Sequence, residues 1–124
     1  MVSEFLVSVV IPVYNAEKFV ERAIKSALAQ AEVAEVIVVD DGFGDGAFDI
    51  CAHMAAIEPK VKHIWHENRA NHGAGAARNL GILHASYPYI AFLDADDYYL
   101  PNRFKHTKAT FLNAPVIPPK NSHI

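Results

Sequence analysis

The sequence predicts an α/β fold with a mainly parallel sheet and helices on both of its faces. Short β-branched apolar runs alternate with helical patterns in the order β-α-β-α-β-α-β-α. The apolar runs are nearly continuous, which is typical of parallel strands buried on both faces. Because parallel neighbours are joined by right-handed crossovers, we expect a doubly wound sheet.

The first half of the chain contains two strands and the helix between them. Residues 6–13 form the first predicted strand, and Asn15 is placed to cap a helix with apolar residues at i, i+3 and i+4 spacing. The apolar positions of that helix are Phe19, Val20, Ala23, Ile24, Ala27, Leu28 and Ala31. A second β-branched run, residues 34–39, ends at the turn residues Asp40-Asp41-Gly42.

The second half continues the alternation. A helix with Phe48, Cys51, Ala52 and Ala55 facing inward precedes a weaker strand at 61–66 and a glycine-interrupted helix from about Gly73 to Ala85. Residues 89–93 form the fourth predicted strand, and a last helix runs from Pro101 to about Leu112. We therefore predict one domain over residues 1–112 and a loosely ordered, proline-containing tail over residues 113–124.

Composition narrows the class of protein. With 52% hydrophobic and 20% charged residues in 124, most of the chain is predicted to be ordered. No apolar run approaches the ~20 residues of a membrane span, so we expect a soluble protein or the soluble part of one. A net charge of -3 argues against nucleic acid as a partner, and the single cysteine, Cys51, is expected to be a small core residue.

Polar residues follow all four predicted strands. They are Tyr14-Asn15, Asp40-Asp41, the segment 67–69 and the segment 94–97. Because ligands of open α/β sheets bind at the carboxyl ends of the strands, we expect the binding site at that edge.

The acidic segments suggest specific ligands. Carboxylates in Asp94-Ala95-Asp96-Asp97 suit Mg²⁺ or Mn²⁺ and, through the cation, a phosphorylated ligand, although an Asp-rich turn is the simpler alternative. Asp40-Asp41-Gly42 alone indicates a turn. At the same edge, one of its carboxylates could bind a nucleobase imide or a ribose hydroxyl while the other orders the loop.

A glycine- and alanine-rich segment, residues 72–79, opens the third predicted helix. Its small residues would let backbone amides approach an anion, with Arg78 as an added cation. It is a weak dinucleotide signature, because Arg78 occupies the third glycine position. Close packing of the helix on the sheet is the alternative explanation.

Four motifs in this order resemble the amino-terminal half of a family-2 glycosyltransferase with the GT-A fold. They are Val9-Val10-Ile11-Pro12-Val13-Tyr14-Asn15, Val38-Val39-Asp40-Asp41-Gly42, Gly73 to Gly81 with Arg78-Asn79, and Phe92-Leu93-Asp94-Ala95-Asp96-Asp97. The resemblance covers residues 6 to about 112. It implies a Rossmann-like three-layer sandwich, truncated after the DxD motif, and a nucleotide-diphosphate-sugar donor, most often a UDP-sugar, bound with Mn²⁺ or Mg²⁺.

The resemblance also assigns roles to residues. It places Pro12, Tyr14, Asp40 and Asp41 in the nucleoside pocket and Arg78 near the base or diphosphate. Asp94-Ala95-Asp96 becomes the DxD motif, with Asp96 as the main metal ligand and Asp94 as a second. Phe43-Gly44 departs from the Ser-Thr that the family commonly has after Asp-Asp-Gly.

The resemblance further implies an inverting enzyme whose general base is a carboxylate. No Asp or Glu follows Asp97, so the general base is unassigned and we expect a truncated chain or one that needs a partner. The acceptor is unknown, and a saccharide or lipid-linked saccharide of cell-wall or polysaccharide synthesis is expected. We expect the protein itself in the cytoplasm or at the cytoplasmic face of the membrane.

Three alternatives stay open at this point. A haloacid-dehalogenase-like phosphatase also has Asp-x-Asp after an apolar strand, but this chain has Tyr98 where that family has Thr or Val. A dinucleotide-dependent dehydrogenase would need a glycine between Tyr14 and Phe19, and none is present. The chain could also be an inactive nucleotide-sugar-binding fragment.

Overall fold

The computed structural model describes residues 5–42, 45–67, 71–112 and 122–123. The strands are β1 (Val7–Val13), β2 (Val33–Asp40), β3 (Val61–Trp65), β4 (Tyr89–Phe92) and β5 (Ser122–His123). The helices are α1 (Val20–Leu28), α2 (Ala47–Ile57), α3 (Ala74–His84) and α4 (Lys105–Leu112). The predicted α/β alternation is confirmed.

All of the described strand pairs are parallel, and the strand order is β3-β2-β1-β4-β5. From β1 the chain moves outward through β2 and β3 on one side, and then returns to the other side of β1 as β4. The sheet therefore has its topological switch point between β1 and β4, where doubly wound sheets open a crevice for a ligand. The short strand β5 lies within the predicted tail, of which residues 113–121 and 124 are outside the described part of the chain.

Alternate side chains of β1 enter two separate cores. Val9, Ile11 and Val13 pack in the core beneath α1 and α2. Val10 packs on the opposite face with Ala77 of α3. The helices thus form layers on both sides of the sheet, which confirms the predicted three-layer sandwich. None of the helices in the described residues is long and apolar enough to cross a membrane.

Two predicted helix starts are wrong. Asn15 has a φ of 52°, which is incompatible with the extended geometry of an N-cap, and α1 begins only at Val20 without a side-chain cap. The last helix begins at Lys105 rather than Pro101, because residues 101–104 form turns and Asn102 has a φ of 63°. In both places the left-handed asparagine redirects the chain before the helix begins.

Helix α3 lies very close to the sheet at Gly81. A Cβ atom added at this glycine would lie only 2.3 Å from Cγ1 of Val10, which is fully buried on β1. The small residue at position 81 therefore sets how closely α3 approaches β1.

Glu35 on β2 is a buried carboxylate that ties the amino edge of the sheet together. Its oxygens accept hydrogen bonds from Ser8 Oγ (2.7 Å) and the Ser86 backbone, and Lys62 Nζ forms an ion pair with it at 2.7 Å. Burial raises the pKa of Glu35, but the hydrogen bonds from Lys62, Ser8 and Ser86 outweigh burial and lower it below its ordinary value of 4.5.

We expect Glu35→Gln to destabilise the fold at neutral pH by about 1–3 kcal/mol, because it removes the charge of a buried carboxylate and weakens its bonds to buried Ser8 and to Lys62. Since the pKa of Glu35 is lowered by folding, the ionised carboxylate contributes stability above pH 4.5, and that contribution is lost as pH falls through the lowered pKa. Urea unfolding of both proteins at pH 7 and pH 3 tests this. The free-energy difference should shrink at pH 3, and an equal difference at both values would contradict the prediction.

Candidate functional site

A cleft of about 420 Å³ opens at the carboxyl ends of β1 and β4. It lies at the switch point of the sheet, where the rule for doubly wound folds places a ligand. The lining residues are Pro12, Val13, Tyr14, Asn15, Ala16, Phe19, Asp41, Ala74, Asp94, Ala95 and Asp96. Residues from four separate parts of the chain thus meet in one crevice.

The wall that follows β1 carries two exposed aromatic rings. Tyr14 is 50% exposed and Phe19 is 42% exposed, although rings of this size are usually more buried. Asn15, with its positive φ, turns the chain between them. Exposed rings beside a polar crevice provide flat apolar surfaces on which a planar ligand can stack.

Asp40 and Asp41 have different positions although they are adjacent and both buried. Asp40 Oδ1 accepts a hydrogen bond from the Gly42 amide (2.9 Å), which closes the turn after β2, where Gly42 has a φ of 105°. Asp41 Oδ1 accepts a hydrogen bond from the His72 amide (2.9 Å), and Asp41 lines the cleft. Side chains alternate along a strand, so only Asp41 points toward the cleft while Asp40 orders the loop beneath it.

The segment after β4 forms a tight turn that presents two carboxylates to the cleft. The Asp97 amide donates to the Asp94 carbonyl (3.0 Å), and the side chains of Asp94 and Asp96 both lie at the cleft. Ala95 between them is buried, which holds the turn against the protein. Asp97 instead faces an adjoining cleft of about 620 Å³.

Arg78 on α3 lies in this adjoining cleft and not in the first one. Its Nη2 is 3.6 Å from Asp94 Oδ1, so the cation contacts the first cleft only through that carboxylate. Of the residues that the sequence nominated, Pro12, Tyr14, Asp41, Asp94, Ala95 and Asp96 line the first cleft, and Asp40 and Arg78 do not.

Two residues of the cleft, Asn15 and Phe19, are given no binding role from the sequence, although Asn15 lies in the polar segment after the first predicted strand. The helical pattern predicts Asn15 as a cap and Phe19 as a helix core position, yet both line the cleft because α1 begins later than expected. The signal for Asn15 is its place directly after the first strand, whereas Phe19 lies further from Val13 and its apolar character indicates only a helix core position.

The carboxylates of the cleft are compatible with Mg²⁺ or Mn²⁺ bound together with a phosphate. Within the described ranges, no group of three or more His, Cys, Asp or Glu side chains could hold a metal ion by itself. Mg²⁺ is usually held by one or two carboxylates plus substrate phosphates, which is the number that Asp94 and Asp96 provide.

The chain is similar in sequence to known glycosyltransferases. A family described as "Glycosyl transferase family 2" matches residues 8–117. An uncharacterized glycosyltransferase of Nostoc sp., alr2836, is 36% identical over 113 residues, covering 90% of this chain and 34% of that protein. The uncharacterized glycosyltransferase EpsJ of Bacillus subtilis is 40% identical over 94 residues, covering 75% of this chain and 26% of that protein.

Solved structures show the same fold. TarS residues 1–349 from S. aureus, in complex with UDP-GlcNAc, has a TM-score of 0.69 and 30% identity over 85% of this chain and 30% of that one. The mannosyltransferase PcManGT from Pyrobaculum calidifontis, in complex with GDP-Man and Mn²⁺, has a TM-score of 0.74. At 24% identity, over 93% of this chain and 34% of that one, it bears on the fold alone.

The chain therefore spans about a third of the length of the Nostoc relative and of the TarS structure that it matches. The matched region contains both the cleft and the acidic turn after β4. On the family match over residues 8–117, this chain belongs to glycosyl transferase family 2.

Proposed function

We propose that this chain is the donor-binding part of an inverting glycosyltransferase. Its proposed donor is a nucleoside-diphosphate sugar, namely a UDP-sugar. The observation that carries the proposal is the meeting of Asp41 with Asp94 and Asp96 in one cleft at the switch point of the sheet. The UDP-GlcNAc complex of TarS, a relative in fold and sequence, supports a uridine nucleotide.

The nucleoside is assigned to the side of the cleft that Asp41, Tyr14 and Pro12 form. The Asp41 carboxylate has a second oxygen beyond the one that binds His72, and a carboxylate accepts hydrogen bonds from an imide N–H or a ribose hydroxyl. The Tyr14 ring offers a surface on which the base can stack. Asp40 acts indirectly, because it keeps the loop after Asp41 in place.

The diphosphate is assigned to the opposite side, where Asp94 and Asp96 would hold Mg²⁺ or Mn²⁺. A cation there would neutralise the diphosphate and act as a Lewis acid for its departure. Among the described residues, the Asp96 carboxylate has no cationic side chain within ion-pair distance. The Asp94 carboxylate already forms an ion pair with Arg78 at 3.6 Å. Asp96 is therefore the stronger candidate ligand.

The acceptor and the general base lie outside this assignment. Inversion requires a base that deprotonates the acceptor hydroxyl, and no carboxylate follows Asp97 in these 124 residues. A hexose donor, a saccharide or lipid-linked acceptor, and action at the cytoplasmic membrane face are parts of the proposal. The family match does not favour the phosphatase alternative.

Binding of uridine alone tests the nucleoside assignment, because uridine has no phosphate and needs no cation. We expect Asp41→Asn to weaken uridine binding about tenfold, since an amide replaces an ionised acceptor. Asp40→Asn should weaken it less and lower the thermal stability instead. Titration calorimetry of each variant, with melting followed by circular dichroism, separates the two effects.

Asp49→Asn is the matched control, because it removes the same charge from an exposed position on α2 outside the cleft. Its uridine affinity should equal that of the original chain. If Asp41→Asn and Asp40→Asn also bind uridine unchanged, then Asp40-Asp41-Gly42 is only a turn and the nucleoside assignment is wrong.

A further inference from the structure

Three polar residues, four positions apart, form a row along α1 and the turn that follows it: Arg22, Ser26 and Gln30. Residues at i and i+4 lie on the same face of a helix, so the row faces one neighbouring segment. That segment is residues 96–103, which follows directly from the acidic turn. The three residues contact it at successive points.

Ser26 and Gln30 hold the later part of the segment. Ser26 Oγ accepts a hydrogen bond from the Tyr99 amide (2.9 Å). Gln30 is only 4% exposed; its Nε2 donates to the Leu100 carbonyl (3.0 Å), and its Oε1 accepts from the Arg103 amide (3.1 Å). These bonds fix a stretch of chain with little regular secondary structure against α1.

Arg22 holds the part of the segment that lies nearest the cleft. Its Nη2 donates to the backbone carbonyl of Asp96 (3.2 Å), and its guanidinium lies 4.4 Å from the centre of the Tyr98 ring. Both contacts are made to the acidic turn or its next residues, and the hydrogen-bonded partners lie 74 residues apart in sequence. The backbone that carries the Asp96 carboxylate is thus attached to α1 through this arginine.

We propose that Arg22 is a positioning residue that sets the Asp96 carboxylate for cation binding. The proposal rests on the proposed function, in which Asp96 holds the divalent cation of a nucleoside diphosphate. The affinity for a divalent cation is sensitive to small shifts of the carboxylates that bind it, because Mg²⁺ demands near-ideal octahedral geometry. Without Arg22, the turn would still be held by its local bonds, by buried Ala95 and by the contacts of Ser26 and Gln30 with the later part of the segment, but the described hydrogen bond from α1 to the Asp96 backbone would be lost.

The charge of Arg22 has an opposite effect that the experiment must separate. A guanidinium close to the site repels a divalent cation, so removal of that charge alone would strengthen cation binding. If Arg22 positions the Asp96 carboxylate, its removal should instead weaken cation binding. The sign of the change therefore decides between the two effects.

The experiment measures binding of UDP with and without MnCl₂, and of uridine, by titration calorimetry on the 124-residue chain. We expect Arg22→Met to reduce the gain in UDP affinity that Mn²⁺ provides by about tenfold, as for loss of a residue that orients a metal ligand. Uridine affinity should be unchanged. Arg22→Lys, which keeps the charge and one donor, should recover part of the Mn²⁺ gain.

Lys25→Met is the matched control. It removes the same charge from the same helix, but Lys25 is exposed and paired with Glu21 at 3.0 Å rather than with the acidic turn. Its Mn²⁺ gain should equal that of the original chain. Arg22 is also exposed, so melting curves should show that all three variants remain folded.

The outcomes are distinguishable. If Arg22→Met leaves the Mn²⁺ gain unchanged or increases it, the positioning role is wrong and the proposed function stands. If the original chain binds UDP equally with and without Mn²⁺, the proposed cation role is wrong and the inference about Arg22 is overturned with it. An equal loss in Lys25→Met would show a general charge effect and would also overturn the inference.

Discussion

Replacement of Asp96 by Asn is expected to remove most of the affinity that Mn²⁺ adds to UDP binding, a loss of about 100-fold. Asp96 lines the cleft, and no described cationic side chain competes for its carboxylate. Residues that only orient a metal ligand are typically worth about 10–100-fold in affinity, so loss of the ligand itself should lie at or beyond that upper limit. Calorimetry with UDP in the presence of MnCl₂ or of EDTA measures the effect.

Asp97→Asn is the matched control for this prediction. Asp97 is the neighbouring carboxylate, but it lies at the adjoining cleft, and its Oδ1 accepts a hydrogen bond from the Tyr98 amide (2.8 Å), which an asparagine oxygen can also accept. The variant should retain the Mn²⁺ effect. Retention of the full effect in Asp96→Asn, or equal loss in both variants, would show that the assignment of the cation to Asp96 is incorrect.

Gly81→Ala is expected to destabilise the fold by about 1–2 kcal/mol, even after the gain of about 1 kcal/mol by which alanine normally favours a helix over glycine. The added Cβ would lie 2.3 Å from Cγ1 of Val10 and 3.2 Å from its Cβ, so a fully buried strand residue would have to move. Overpacking of this kind typically costs about 1–3 kcal/mol. Because α3 also carries Arg78 and begins at the cleft, nucleotide affinity should fall as well.

Gly75→Ala on the same helix provides the control. A Cβ at position 75 meets nothing within 4 Å, so helix propensity alone should act and stabilise the fold by up to about 1 kcal/mol. Urea unfolding of both variants measures the difference. The double variant Gly81→Ala with Val10→Ala should relieve the clash and recover part of the loss. If both glycine variants are equally stable, close packing of α3 on β1 is not the reason for the glycine.

The sequence alone predicted the fold class, the first four strands and the edge of the sheet at which the candidate site lies. Apolar runs such as residues 6–13 and 34–39 are local patterns, and each predicts a buried strand without knowledge of its neighbours. Parallel strands present all their carboxyl ends at one edge, so the strand pattern by itself predicts that the acidic residues after β2 and β4 meet there.

Only the tertiary structure decided which of these residues face the cleft. Asp40 and Asp41 are adjacent, and their roles separate because α3 packs on one face of β2 and α1 on the other. Arg78 has the right charge and spacing for a ligand contact, yet its helix aims it at Asp94 from the adjoining cleft. The bond from Arg22 to Asp96 joins residues 74 positions apart, and a contact at that distance depends on packing, which no local pattern of residues records.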